Sequence, residues 1–166
     1  MSTAPYLNLI SELLPVQRRD FALEDVSILN PMATTPLVDG EWLELNDSYQ
    51  LKRGSGEAAK PSWVCFAERG RYDTQAIGKT PVLYVNGFEA DTAIFAAANM
   101  AVGVGLAVDT VTCPNGLTGV RGLKAAVSLA TGEHLLFGFV TRIIGTGASQ
   151  KIRFWCPNAP AFKHFA

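Results

Sequence analysis

Short apolar runs recur along this chain about every ten residues, and each is closed by glycine, asparagine or proline. No alternation of strand and helix patterns interrupts that rhythm, so a sheet of the Rossmann kind is disfavoured. The chain is expected to be mainly β, a single β-barrel or β-tulip-like domain. Asp39-Gly40 is the strongest hairpin signal, since a two-residue turn that matches the twist of its strands needs φ > 0 at both central positions. From Glu41 the pattern sets Trp42 apart from Leu43 and Leu45, then Tyr49 and Leu51 apart from Gln50 and Lys52. A period of two marks a strand with one buried face. Residues 36–54 are therefore expected to form the first closed corner of the barrel.

Further strands are expected over 62–68, 81–87, 103–112, 118–130, 134–144 and 150–156, with polar loops at 54–61 and 69–79. Residues 88–99 read as a loop returning into a strand, with a short helix capped by Asp91 or Thr92 as the alternative. The run over 134–144 is apolar without alternation, which predicts burial on both faces, and Gly138 within it predicts a bend or a close approach.

The first 35 residues read differently. Tyr6, Leu7, Ile10, Leu13 and Leu14 recur at spacings of three and four, a short amphipathic helix pattern stopped by Pro15. An extended segment containing Phe21 follows, and Asn30-Pro31 and Thr35-Pro36 punctuate its exit. The chain thus divides into an N-terminal arm at 1–35, a barrel at 36–156 and a C-terminal tail at 157–166. Either the arm lies along its own barrel as a satellite helix and edge strand, or it reaches a neighbouring subunit. In the second case Tyr6, Leu7, Ile10, Leu13, Leu14 and Phe21 are its candidate anchors, and deleting residues 1–35 should leave a folded body.

Composition narrows the function. The 166 residues suit one domain with a real core. Charged residues make up 17%, below the roughly 25% usual for soluble domains. With mean hydropathy at +0.16, part of the surface is expected to be covered by partners. Net charge is −1 with no basic block, which argues against nucleic acid as a partner. The longest uncharged run, 92–108, is too short and too rich in glycine for a membrane span, and no secretory signal is read at the N-terminus. Cys65, Cys113 and Cys156 are dispersed and odd in number, as free buried thiols made in a reducing compartment would be.

Catalytic groups are sparse. His134 sits at a turn and His164 in the last three residues, where neither is set in a recognisable base context. The glycines around 145–151 lack the ending of a phosphate loop. Asp91-Thr92-Ala93 departs from the aspartic-protease triplet, whose chemistry needs two carboxylates sharing a proton, so a hydrolase reading would require a dimer. Asp73, Glu89, Asp91 and Asp109 show no dense oxygen-ligand spacing for calcium. No cofactor is expected. Trp42, Trp63 and Trp155 could form a sugar-stacking platform, although their apolar surroundings favour packing.

A resemblance adds to this reading. It is carried by Gly-Lys-Thr-Pro-Val-Leu-Tyr-Val-Asn-Gly-Phe-Glu-Ala-Asp-Thr-Ala-Ile-Phe from Gly78, Val-Gly-Val-Gly-Leu-Ala-Val from Val102 and Gly-Leu-Lys-Ala-Ala from Gly122. Gly-Glu-His-Leu-Leu-Phe-Gly-Phe-Val from Gly132 and Ile-Arg-Phe-Trp from Ile152 complete it. Over residues 36–156 the pattern resembles the capsid decoration (cement) proteins of tailed bacteriophages. The resemblance implies a non-enzymatic virion protein on the outer face of the capsid, bridging major capsid protein subunits as a homodimer or homotrimer. The chain departs from the simplest such proteins in its longer N-terminal segment and in the continuous apolar run near Phe137. A phage tail or surface module binding a host glycan is the alternative.

Overall fold

A computed structural model of the chain describes residues 7–12, 17–30, 32–54, 60–65, 78–85, 87–128, 132–157 and 161–165. Branched and aromatic runs between turn residues give strands nearly throughout. In chain order they are β1 (Leu7–Glu12), β2 (Gln17–Ala22), β3 (Trp42–Leu45), β4 (Leu51–Lys52), β5 (Ser62–Val64), β6 (Lys79–Val85) and β7 (Phe88–Thr92). They continue as β8 (Gly105–Thr112), β9 (Thr118–Ala125), β10 (Gly132–Leu136), β11 (Gly138–Ile144), β12 (Lys151–Cys156) and β13 (Ala161–Phe165). The fold is mainly β, a single barrel-like domain. Its largest part is a curled six-stranded sheet in the order β1-β7-β12-β11-β8-β9, antiparallel at every pairing. A three-stranded sheet, β4-β3-β5, and two pairs, β2-β6 and β10-β13, complete it.

Alternation decides which side chains enter the core. Along β12, Ile152, Phe154 and Cys156 point inward while Lys151, Arg153 and Trp155 point outward. Beside it β7 buries Phe88, Ala90 and Thr92. The main cluster joins Phe88, Ala90, Ile152, Phe154 and Cys156 to Leu7, Trp42, Leu106, Leu123, Phe137 and Val140. Trp42 lies at its centre, edge-on to Phe137 at 5.4 Å and tilted against Phe154 at 6.2 Å. A second cluster holds Phe21, Leu23, Leu43, Leu51, Cys65 and Val82. Strand β3 therefore buries both faces, Trp42 entering one cluster and Leu43 the other, where its alternation had predicted one.

Several expectations are corrected. Asp39-Gly40 is not a hairpin turn: only Gly40 has positive φ, at 86°, and Glu41 N–H donates to the Val38 carbonyl at 3.2 Å. That is a type II corner leading coil into β3. The hairpin is the next one, β3 to β4, where the Asn46 side chain accepts from the Ser48 and Gln50 N–H groups, both at 2.9 Å, and Tyr49 takes φ 58°. The helix expected across Leu7 and Ile10 is strand β1, because its backbone pairs with β7. The single run at 134–144 is broken at Phe137 into β10 and β11, and it is not buried on both faces, since Phe139 is 45% exposed. The segment expected as a tail supplies β13, which pairs with β10.

Gly138 is the close approach expected of it. Its φ is 154°, and an added Cβ would lie far inside van der Waals contact with the Trp155 carbonyl oxygen on β12. Backbone cannot yield as a flexible side chain can. Gly138→Ala should lower stability by about 2–4 kcal/mol, read as a reduced midpoint in chemical denaturation.

Candidate functional site

The six residues proposed as arm anchors do not stand together. Leu7 is in the main cluster and Phe21 in the second, where its ring stacks on Trp63 at 6.0 Å. Ile10 is 38% exposed beside the β-bulge of β1. Tyr6, Leu13 and Leu14 lie outside the described residues. Strands β1 and β2 pair with β7 and β6 of the same chain, so these stretches of the N-terminal segment are built into the body.

The most organised polar group is one that the sequence reading did not single out. Glu41, at the corner before β3, is fully buried. Its carboxylate receives Arg53 in bidentate fashion, Nε to Oε1 at 2.6 Å and Nη2 to Oε2 at 2.8 Å. It also accepts the backbone N–H groups of Val38 at 3.3 Å and Arg121 at 3.2 Å. Arg53 in turn donates to the carbonyls of Thr35 at 2.6 Å and Pro36 at 2.9 Å. A buried carboxylate is tolerated only when its lone pairs are met in this way. Because Arg121 lies on β9, the outermost strand of the large sheet, Glu41 ties the three-stranded sheet to the six-stranded one. It also closes part of an open strand edge. Two residues on, the 94–96 segment covers the same edge at Leu123, whose N–H donates to Ile94 O at 3.1 Å and whose carbonyl accepts from Ala96 N–H at 2.8 Å.

Other carboxylates hold structural partners. Asp91 grips Arg153 at 2.7 and 3.0 Å, Glu89 accepts from the Thr141 hydroxyl at 2.8 Å, and Asp109 pairs with Lys124 at 3.0 Å. Asp91 is thus one half of an ion pair on the outer face of the large sheet. The hydrogen bonds that Arg153 donates to Asp91 raise its guanidinium above its ordinary value. Burial pulls Arg121 down, opposed by the charges of Glu44, Asp109 and Glu41. Among the described residues no cluster of three His, Cys, Asp or Glu side chains could hold a metal ion, and no helix is long and apolar enough to cross a membrane.

All three cysteines are free and buried. Burial pushes the Cys113 thiol up to about 11 and the Cys156 thiol to about 12, and it raises Cys65 well above its ordinary value, with Glu41 and Asp39 adding to the effect. Thiolate is the reactive form, so the folded protein should react slowly with a thiol-specific disulfide reagent until denaturant exposes the three groups. The linkage has a definite sign. Unfolded thiols lose protons above about 9 while the folded ones keep theirs, so stability contributed by keeping them protonated is whole below pH 9 and declines as pH rises towards 11–12. Chemical denaturation at a series of alkaline pH values should show that fall, and replacing Cys156 with alanine should flatten it.

The tryptophans form no common platform. Trp42 is core, Trp63 packs on Phe21 in the three-stranded sheet, and Trp155 faces outward from β12. The outward row that holds Trp155 is the apolar part of the outer face of the large sheet. Phe139 stands directly across from it on β11, and Glu89 across from it on β7. Phe139 and Trp155 share one face because they are cross-strand partners. The result is an aromatic pair on an open sheet face, bordered by the Asp91–Arg153 ion pair. Comparison of the chain with known protein families, with curated proteins and with solved structures finds no match.

Proposed function

We propose that this chain is a non-enzymatic virion structural protein that decorates a phage capsid and stabilises it by bridging major capsid protein subunits. In this reading it acts from the outer face of the capsid, as a homodimer or homotrimer. The observation that carries the reading is the outer face of the six-stranded sheet, where Phe139, 45% exposed, stands beside Trp155. An exposed phenylalanine with a partly buried tryptophan beside it on the sheet face suits contact with another protein. The barrel-like fold and the strand and turn pattern over residues 36–156 support the same conclusion. So does the engagement of Glu41, Asp91 and Asp109 in ion pairs within the chain.

Phe139→Ser tests it. The side chain is half exposed, so the variant should fold, and its retention by purified capsids in co-sedimentation should fall at least tenfold. Undiminished retention of a folded Phe139→Ser protein would remove this face from the account.

A further inference from the structure

Among the described residues, strand β2 is paired along one edge only, with β6. Its partner β6 places Pro81 opposite Asp20. Proline has no N–H, so this pair cannot exchange hydrogen bonds, and in an antiparallel ladder the bonded pairs are the ones on either side. The next bonded position agrees, with Leu23 N–H donating to Gly78 O at 3.0 Å. Asp20 and Ala22 consequently turn their N–H and C=O groups away from β6. One step on, Glu24 does the same and meets a strand, its N–H donating to Leu51 O of β4 at 2.9 Å. Beside Asp20 and Ala22, β4 has already given way to the turn at Tyr49. A cavity of about 350 Å3 fills the gap, lined by Arg19, Asp20, Phe21, Ala22, Leu45, Tyr49 and Lys79.

We propose that this slot takes up a short extended acidic peptide segment, which adds to the open edge of β2 in line with β4. Main-chain groups of Asp20 and Ala22 supply the ladder, as in other cases of strand addition. Charge sets the sign of the guest. Arg19 and Lys79 outnumber Asp20 in the lining, where Lys79 is exposed and Arg19 lies over the Phe21 ring at 5.1 Å. Tyr49 is 77% exposed and held at φ 58°, an uncommon backbone state for a tyrosine, which sets it on the lip of the slot. Phe21, stacked on Trp63, gives a rigid apolar floor. The volume is at the small end of ligand sites and suits a few residues rather than a domain. This inference stands apart from the capsid reading and does not depend on it.

The probe is a capped hexapeptide alternating valine and glutamate, titrated into isotopically labelled protein. The expected result is movement of the Asp20 and Ala22 amide resonances, with affinity falling at least tenfold in Lys79→Gln or when lysine replaces glutamate in the peptide. N-methylation of alternate peptide amides should abolish binding. Ala22→Pro removes one donor from the open edge and none from the β2–β6 ladder, so it should also abolish binding while the melting temperature holds. Should that variant fail to fold, the N-methylated peptide reads the same contact. Amides at Asp20 and Ala22 that stay still at millimolar peptide, or equal binding of the N-methylated or lysine-containing peptide, would overturn the proposal.

Discussion

Replacing Glu41 with alanine should cost about 3–5 kcal/mol of stability, the range for removing one partner of a buried ion pair. Two effects contribute, and their sizes differ by site. Arg53 keeps the Thr35 and Pro36 carbonyls and its side chain is 17% exposed, so water can partly replace the carboxylate. The Arg121 N–H has no such relief. It points from the edge of β9 towards Glu41 and would be left buried without an acceptor, a loss of about 1–3 kcal/mol by itself. Glu41→Gln keeps the shape and one carbonyl acceptor, so it should fall between wild type and alanine. Urea denaturation should show a lower midpoint for both. A double-mutant cycle with Arg53→Ala should return a coupling of more than about 1 kcal/mol. A Glu41→Ala midpoint within about 0.5 kcal/mol of wild type would mean that the sheets are joined by packing alone.

Removal of residues 1–35 should unfold the body. The sequence reading led to the opposite expectation, because a detachable arm leaves its barrel intact. In the structure this segment supplies β1, on one edge of the six-stranded sheet, and β2, the strand that pairs along β6. It also supplies Leu7, Phe21 and Leu23 to the two main clusters. At about 1.5–3 kcal/mol per buried side chain, those three contribute about 5–9 kcal/mol before any ladder hydrogen bond is counted. The entire stability of a domain is about 5–15 kcal/mol. The truncated protein should therefore lose its near-ultraviolet dichroism and its dispersed amide spectrum. A cooperative thermal transition close to wild type would show that the segment is dispensable to the fold.

The sequence carried the fold class because period-two patterns and turn residues are local signals. Lys151 to Cys156 alternates and becomes β12 with alternating burial. The close approach expected at Gly138 depends on equally local chemistry, whereas residues 88–99, read as a loop returning into a strand, run in the opposite order, with strand β7 first and coil after it. Failures came where partners decide. Leu7 and Ile10 fit a helical spacing, but pairing with β7 makes them a strand, a tertiary override of periodicity. Asp39-Gly40 carries hairpin chemistry, yet only Gly40 needs its positive φ, and the preceding coil has no strand to turn back along. The Glu41 clamp was illegible for a different reason. Its members are 12 and 80 residues apart, and nothing in a single sequence distinguishes a buried Glu–Arg pair from two solvated charges. The Phe139–Trp155 pair was present as residues, but their common outward face follows from the register of β11 on β12.

Placing the protein on the particle tests the functional reading most directly. Purified virions from the host that makes this chain should contain it in a fixed copy number per major capsid protein, measured by quantitative mass spectrometry. Imaging of those particles should show density for it on the outer face, with the aromatic sheet face of Phe139 and Trp155 turned towards the shell. Its absence from purified particles, or its presence only at trace level, would contradict the account.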